Sequence, residues 1–396
     1  MGEPESVDRS VGTVYGDSAS DAIHALERLW QADLDEVREI LGAPTESRAW
    51  SECSLSWLVR PGADLTEDRP GGLRIGASDI AAVRVTCDLF AQLDERFGGG
   101  HARRALIQYL RSDVAALLSA RYSKTVGRQL HAAVAQTALL AAWMSYDAGL
   151  HGLAQRYFVQ ALRLAQSADD VLLAGGILDA MSHQATYLAK PRDAANLARA
   201  ARTGTRGCAT ATLTAHFHVM EARALAAAGD ARDAQRALGQ AVRMFERRSP
   251  ENDPQWIRYF DDAEMASELS HTFGDLQRGN DAVASAGRYL ASGGGSVRTT
   301  FFVTMKLAGG YLDLGEIEEA CRTVRHALDL GSQLKSARCE DYVREFRSRA
   351  SRFAGHRAYR DLTEGAVGHR LWDRRAARRA ARTAASPGAR FPSAGW

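Results

Sequence analysis

The sequence predicts an all-α protein in which helical hairpins stack into a solenoid behind an amino-terminal helical cap. Three observations predict this class. Apolar residues recur at helical spacing along most of the 396 residues, no convincing run of alternating strand residues is present, and one small-residue pattern recurs from residue 154 to residue 327.

The composition places the chain among globular proteins. Hydrophobic residues make up 45% and charged residues 25%, which excludes a disordered or fibrous chain. Apolar runs are far shorter than the roughly 20 residues that span a bilayer, and the first ten residues do not read as a secretory signal. Five scattered cysteines favour free thiols in a reducing compartment. We therefore expect a cytoplasmic protein without membrane segments.

The amino-terminal elements begin after a polar stretch. Residues 1–17 have no sustained apolar period and are expected to form a flexible lead-in. Ser18 or Ser20 is predicted to cap a helix that runs to Leu41 and ends at Gly42.

The next segment, 43–77, is less regular. Five of its apolar residues are expected to pack: Trp50, Leu55, Trp57, Leu58 and Val59. A strong helix is predicted from Ser78 as N-cap to the breakers Gly98–Gly100, and further helices near 102–120 and 124–148.

An internal repeat is the strongest signal. In each unit, a small residue is followed four residues later by a bulky or small residue. In most units, another small residue follows three residues after that. Five alanines lead these units: Ala154, Ala194, Ala234, Ala282 and Ala320. They step by 40, 40, 48 and 38 residues, and the longest step contains a loop insertion at 249–254. Alanines at helix crossings let two axes approach closely, so the pattern predicts packed hairpins.

Glycines support the same register. Gly149, Gly229 and Gly315 each precede a leading alanine by five residues, where glycine ends one helix and turns the chain into the next. The pattern is tetratricopeptide-like, although that repeat has a period of about 34 residues. An alanine-rich bundle without solenoid geometry is the alternative. The expected divisions are 1–17 (lead-in), 18–121 (amino-terminal helices), 122–358 (repeat array) and 359–396 (helix end and arginine-rich tail).

Several stretches also resemble a known group of proteins: Asp88–Asp94, Arg96–Ala102, Trp143–Gly149, His151–Phe158 and Ala215–Phe217. They resemble the repeat-bearing part of bacterial transcriptional regulators of the filamentous, spore-forming type, over roughly residues 18–372. Such regulators commonly carry an amino-terminal helix-turn-helix of the Cro/repressor type. The resemblance implies a role in transcriptional control of sporulation, development or secondary metabolism.

Direct DNA binding is not expected from the residues themselves. Only 17 residues precede the first predicted helix, and that helix carries six acids against two arginines. A recognition helix facing phosphates should be neutral or basic. We therefore expect a sensor that acts through partners. The alternative is a DNA-binding regulator whose helix-turn-helix is missing from this chain or supplied by a partner.

The carboxyl-terminal tail is strongly basic. Candidate nucleic-acid contacts follow the last acid, Asp373: Arg374, Arg375, Arg378, Arg379 and Arg382. Arginines at this spacing suit a phosphate backbone or an acidic partner, and a solvated tail is the alternative.

Catalytic motifs are absent. The phosphate-loop, zinc-protease and nucleophile-elbow patterns do not occur. His216 and His218 would point to different faces of a helix, which is poor metal geometry. We expect no catalysis, metal or cofactor; an enzyme on a repeat scaffold would need carboxylates or amides clustered in one pocket.

The repeat register selects candidate binding residues, because the first helix of each hairpin lines the concave face of such arrays. The selected residues are Trp143, Tyr146, Asp179, His183, Tyr187, His216, Met220, Arg223, Glu264, Glu268, His271, Phe302 and Lys306. Aromatic and charged side chains in a shared groove suit a peptide, a protein partner or a small polar ligand. A histidine-based pH response is an open alternative, and a homodimer is plausible because solenoid ends expose apolar surface.

Overall fold

The computed structural model describes residues 8, 10–59, 74–293 and 295–373. Within those ranges the chain is helical, without strands, apart from one backbone bridge between Arg74 and Arg121. The amino-terminal helices are α1 (Ala19–Leu34), α2 (Arg38–Leu41), α3 (Ser47–Val59), α4 (Ala77–Phe97), α5 (Arg103–Tyr109) and α6 (Ala115–Leu118). A π-helical turn over Leu110–Val114 joins α5 to α6.

Antiparallel hairpins follow. They are α7 (Lys124–Asp147) with α8 (His151–Ser167), α9 (Val171–Tyr187) with α10 (Pro191–Gly204), α11 (Ala211–Ala227) with α12 (Ala231–Phe245), α13 (Asp262–Asp275) with α14 (Gly279–Ala291), and α15 (Val297–Leu314) with α16 (Ile317–Gly331). The described chain ends with α17 (Ala337–Ala350) and α18 (Arg357–Gly365). The fold is an all-α helical-hairpin solenoid, as the sequence predicts.

The five leading alanines occupy equivalent positions. Each is the fourth residue of the second helix of its hairpin, and its N–H donates to the carbonyl of the N-cap residue. All five are fully buried. The predicted register of the repeat is confirmed.

The turn inside each hairpin uses a left-handed residue five places before the alanine. Glycine supplies it at Gly149, Gly229 and Gly315, where φ lies between 78° and 82°. The other two hairpins place Ala189 and Gln277 there, each with φ of 55°. The sequence pattern missed these two turns because a side chain occupies the position that glycine favours.

These two strained positions give a stability prediction. We expect Ala189→Gly to stabilise the protein by about 0.5–1 kcal/mol, because release of left-handed strain exceeds the entropy that glycine adds to the unfolded chain. Gly229→Ala is the matched reversal, since no atom lies near its added Cβ, and it should destabilise by a similar amount. Urea unfolding followed by circular dichroism measures both. A loss of stability in Ala189→Gly would contradict the prediction.

The amino-terminal helices differ from the prediction at two boundaries. Ser18 caps α1 and shares a capping box with Asp21, but the predicted helix to Leu41 is interrupted where Glu36 has φ of 54°. Ser78 is not the N-cap of α4. Gly76 is, and its N–H donates to the carboxylate of Asp79.

The segment expected to be irregular contains α3. Trp50 and Trp57 are buried as expected, whereas Leu55, Leu58 and Val59 are exposed. The helical turn directs these three to solvent while α3 packs its tryptophan face on α8 and α10.

The segment over residues 10–17, expected to be flexible, packs along α8. Val11 and Tyr15 are buried. Long polar side chains of α8 donate to the segment's backbone carbonyls: Arg156 to Val11 (3.0 Å), Gln160 to Gly12 (2.8 Å) and Arg163 to Asp17 (2.8 Å). These bonds satisfy polar groups that helix packing would otherwise bury without partners.

The first helices of the hairpins form the inner wall, and this wall closes into a ring. The last inner helix, α17, reaches the first, α7: the Ser336 hydroxyl donates to Asp147 (2.8 Å) and the Arg338 guanidinium lies 4.7 Å from the Tyr146 ring. The turn after α4 seals the same seam, where Gly100 N–H donates to the Lys335 carbonyl (2.9 Å). The concave face is therefore the wall of a partly enclosed cavity.

Candidate functional site

The inner wall lines a partly enclosed cavity of about 690 Å³. Side chains from α7, α9, α11, α13, α15 and α17 line it. Two further elements line it: α4, and the segment 256–261, which follows the loop insertion at 249–254 within the longest repeat step.

Most of the candidate binding residues meet in this cavity. Those that line it are Trp143, Asp179, His183, His216, Met220, Glu264, Glu268, His271 and Phe302. Tyr146 and Arg223 lie behind the wall and bond to lining residues, His183 at 3.2 Å and Glu268 at 2.9 Å. Tyr187 bonds to Asp341 and Lys306 to Asp275, both away from the main cavity. Their roles in binding stay predictions.

Asp179 and His216 form a buried pair between α9 and α11. Oδ2 of Asp179 lies 2.8 Å from Nδ1 of His216, and the two form an ion pair when the imidazole is protonated. Oδ1 of Asp179 has no hydrogen-bond partner in the described part of the chain. Burial alone would lower the pKa of His216, but Asp179, with Glu268 and Glu264, raises it above its ordinary value.

The other two histidines stay neutral. Burial, followed by the charge of Arg223, holds the pKa of His183 and of His271 well below the ordinary histidine range. A histidine-based pH response would therefore fall on His216, the only one of the three candidates whose pKa is raised.

Glu264 is the cavity carboxylate with the most perturbed titration. Burial, then repulsion from Glu268 and Asp261, raises its pKa to about 7. No hydrogen bond or ion pair of its carboxylate is found among the described residues. Near neutral pH this group therefore exists in both protonation states.

Glu264 gives a pH-dependent stability prediction. Its pKa is 4.5 in the unfolded chain and about 7 in the fold, so the folded state binds the extra proton between those values. The stability that protonation of Glu264 contributes to the fold is fully present below pH 4.5 and is lost as pH rises through 7. Glu264→Gln should therefore leave stability unchanged in acid and raise it by about 1–3 kcal/mol at pH 8.

Thermal unfolding of both proteins across this pH range measures the effect. Glu251→Gln, on an exposed turn, is the control and should change stability little at any pH. Equal stability of Glu264→Gln and the unsubstituted protein at pH 8 would show that the folded carboxyl is not perturbed.

A second group of charged residues joins the ends of the ring. We call Gly99, Asp147, Arg298, Ser336 and Arg338 the closure cluster. Asp147 accepts from the Gly99 N–H and from the Ser336 hydroxyl, both at 2.8 Å, and lies 3.9 Å from each guanidinium. Its side chain is almost fully buried. This single carboxylate therefore bonds to both sides of the seam.

Sequence reasoning missed several residues that line the cavity. Asp94, Asp147, Arg298 and Arg338 lie far apart in the chain, and Asp94 pairs with Arg298 at 2.7 Å. Trp256 and Tyr259 lie just after the loop insertion at 249–254. The one available signal was the resemblance, because two of its stretches contain Asp94 and Asp147.

The remaining predictions from the sequence concern the arginine-rich tail, the cysteines, membrane spans and metal sites. Arg374, Arg375, Arg378, Arg379 and Arg382 lie outside the described residues. All five cysteines are free thiols. Within the described ranges, the helices are too short or too polar for a bilayer span, and His, Cys, Asp and Glu side chains do not gather in threes as metal ligands.

Comparison with known proteins gives no assignment. No protein-family model matches this chain, and no curated protein is similar to it. The cavity and the closure cluster are therefore the basis for a functional proposal.

Proposed function

We propose that this protein is a non-catalytic regulator that binds a ligand inside its helical ring. The observation that carries the proposal is a partly enclosed cavity lined by Asp179, whose buried Oδ1 has no partner in the described chain. Its volume of about 690 Å³ falls among small-molecule sites, which span roughly 300–1,000 Å³. A ligand that supplied the missing partner would offset the desolvation of that atom.

The arrangement of the carboxylates favours binding over catalysis. Several carboxylates do share the cavity, as the enzyme alternative required. Three of them are engaged, however: Asp94 with Arg298, Asp179 with His216, and Glu268 with Arg223. The ring nitrogens of His216 contact only Asp179 and the Tyr259 hydroxyl (3.4 Å) in the described structure. Covalent catalysis would ordinarily use a serine, threonine or cysteine next to such a base, whereas the hydroxyl beside His216 is the phenol of Tyr259.

Regulation follows from the position of the closure cluster. Asp147, Arg298 and Arg338 line the cavity and also join the ends of the ring. A ligand that contacts them binds closed and open rings with different affinity and so shifts their populations. The resemblance to repeat-bearing regulators suggests that the ring passes this change to a protein partner in transcriptional control.

Substitution of a cavity residue tests the proposal. Ala91 of α4 lines the cavity, so Ala91→Trp should fill it. Ala82→Trp, on the exposed face of the same helix, is the control. Each protein is purified from cells, denatured and extracted for mass spectrometry. We expect one small molecule to accompany the unsubstituted and Ala82→Trp proteins and to be lost from Ala91→Trp. Identical extracts from all three would contradict the proposal.

A further inference from the structure

The cavity has an uneven charge distribution. Its acidic side consists of Glu95, Asp179, Asp261, Glu264 and Glu268, contributed by α4, α9, α13 and the residue that caps α13. The two arginines that line the cavity contact lining residues outside this acidic side. Arg298 pairs with Asp94 at 2.7 Å, and Arg338 lies over the Phe302 ring at 4.4 Å beside Asp147.

Internal partners neutralise only part of this acidic side. Glu268 is paired with Arg223, and the Asp261 carboxylate accepts two backbone N–H groups at the start of α13. Asp179 has only its contact with His216, and it is 6% exposed with Oδ1 unpartnered in the described chain. A buried carboxylate oxygen in this state would be stabilised by a hydrogen-bond donor, and most strongly by a charged donor.

Aromatic rings line the same cavity. Gly176 is one helical turn before Asp179, and an added Cβ there would come within 2.7 Å of Cη2 of Trp256. Trp143 lies across the wall, its ring centroid 5.3 Å from that of His183. An aromatic face next to a desolvated carboxylate attracts a cation through both its quadrupole and the opposite charge.

We infer that the ligand of this cavity is a small organic cation: a protonated amine that contacts Asp179 and Glu264, attached to a flat apolar body that packs against Trp256 and Trp143. This inference rests on the proposed function and specifies its ligand class. The cavity volume of about 690 Å³ favours a free small molecule over an amine carried on a long peptide.

Protonation inside the cavity supports the same ligand. Glu264 has a pKa of about 7, and the pKa of His216 is raised, so rising pH adds a negative charge at Glu264 and removes the positive charge of His216. The titratable groups that influence Glu264 from its surroundings are Glu95, His216, Tyr259, Asp261, Glu268 and Tyr289. A primary amine stays charged across this range because its ordinary pKa is about 10.4. Its affinity should therefore increase from pH 6 to pH 8.

Three probes with one skeleton and different charge test the inference by isothermal titration calorimetry: phenethylammonium, the neutral 2-phenylethanol and the anion phenylacetate. We expect the cation alone to bind, with roughly tenfold higher affinity at pH 8 than at pH 6. A nine-residue peptide with a central lysine should not displace it, because the volume of the cavity suits a small molecule.

Substitutions locate the binding. Asp179→Asn should weaken phenethylammonium binding by about tenfold or more. Glu264→Gln, which we expect to fold stably, should weaken it several-fold and flatten its pH dependence. Asp233→Asn, half-exposed on α12, is the control and should bind as the unsubstituted protein does.

Two results would overturn the inference. One is phenylacetate binding at least as tightly as phenethylammonium; the other is cation binding that is absent, or unchanged in both cavity variants. If phenylacetate binds and Ala91→Trp abolishes that binding, the inference of a cationic ligand is wrong, whereas the proposed function of the cavity stands. Failure of every probe, together with identical cell extracts, would remove both.

Discussion

Asp147→Asn is expected to destabilise the protein by about 3–5 kcal/mol. The Asp147 carboxylate is buried, accepts hydrogen bonds from Gly99 and Ser336, and is the only acid within 4 Å of Arg338 among the described residues. Asparagine keeps the shape but leaves this guanidinium buried without an opposite charge. Urea unfolding monitored by circular dichroism measures the loss.

Asp233→Asn provides the comparison. Asp233 pairs with Arg236 on the surface of α12 at 2.8 Å, with both side chains well exposed. Exposed pairs contribute about 0–1 kcal/mol, so this variant should keep nearly full stability. Similar stabilities for the two variants would show that Asp147 does not hold the ring closed.

Gly152→Ala is expected to cost about 3 kcal/mol or more, at the upper end of overpacking effects. Gly152 lies in α8, and an added Cβ would stand 1.9 Å from the carbonyl oxygen of Ala43 and 2.8 Å from that of Pro44. Backbone atoms do not move aside as a flexible side chain does. The segment after α2 should therefore separate from α8, which thermal unfolding and hydrogen exchange over residues 43–59 would detect.

Gly287→Ala is the matched control, because Gly287 lies inside α14 and no atom lies within 4 Å of an added Cβ. Alanine is the better helix former by about 1 kcal/mol, so this substitution should stabilise the protein slightly. A stable Gly152→Ala protein would contradict the close approach of the chain at Ala43.

The sequence predicts the array well because its determinants are local. The leading alanines are separated from their turns by five residues in every hairpin, and helix crossing requires small side chains at those positions. The same register identified which helices face inward, so nine of the thirteen candidate binding residues line the cavity. A repeat register therefore carries positional information about a site even when it does not identify the ligand.

Features that depend on distant contacts were not predictable in this way. Asp94 and Arg298 are 204 residues apart, and Asp147 and Ser336 are 189 apart, so no local pattern joins them. The break before α2 was missed because Glu36 adopts a left-handed conformation without glycine. The polarity of residues 10–17 predicts a flexible segment, whereas their backbone carbonyls accept hydrogen bonds from α8 and hold the segment in place.

The contact between the first inner helix, α7, and the last, α17, also changes how the protein should unfold. Open repeat arrays lose their terminal units first, because an end unit has a neighbour on one side only. Here α7 and α17 are each other's neighbours, so neither offers a free edge from which fraying can start. Amide exchange in these two helices should therefore proceed by the same all-or-none opening as exchange in α11, midway between them.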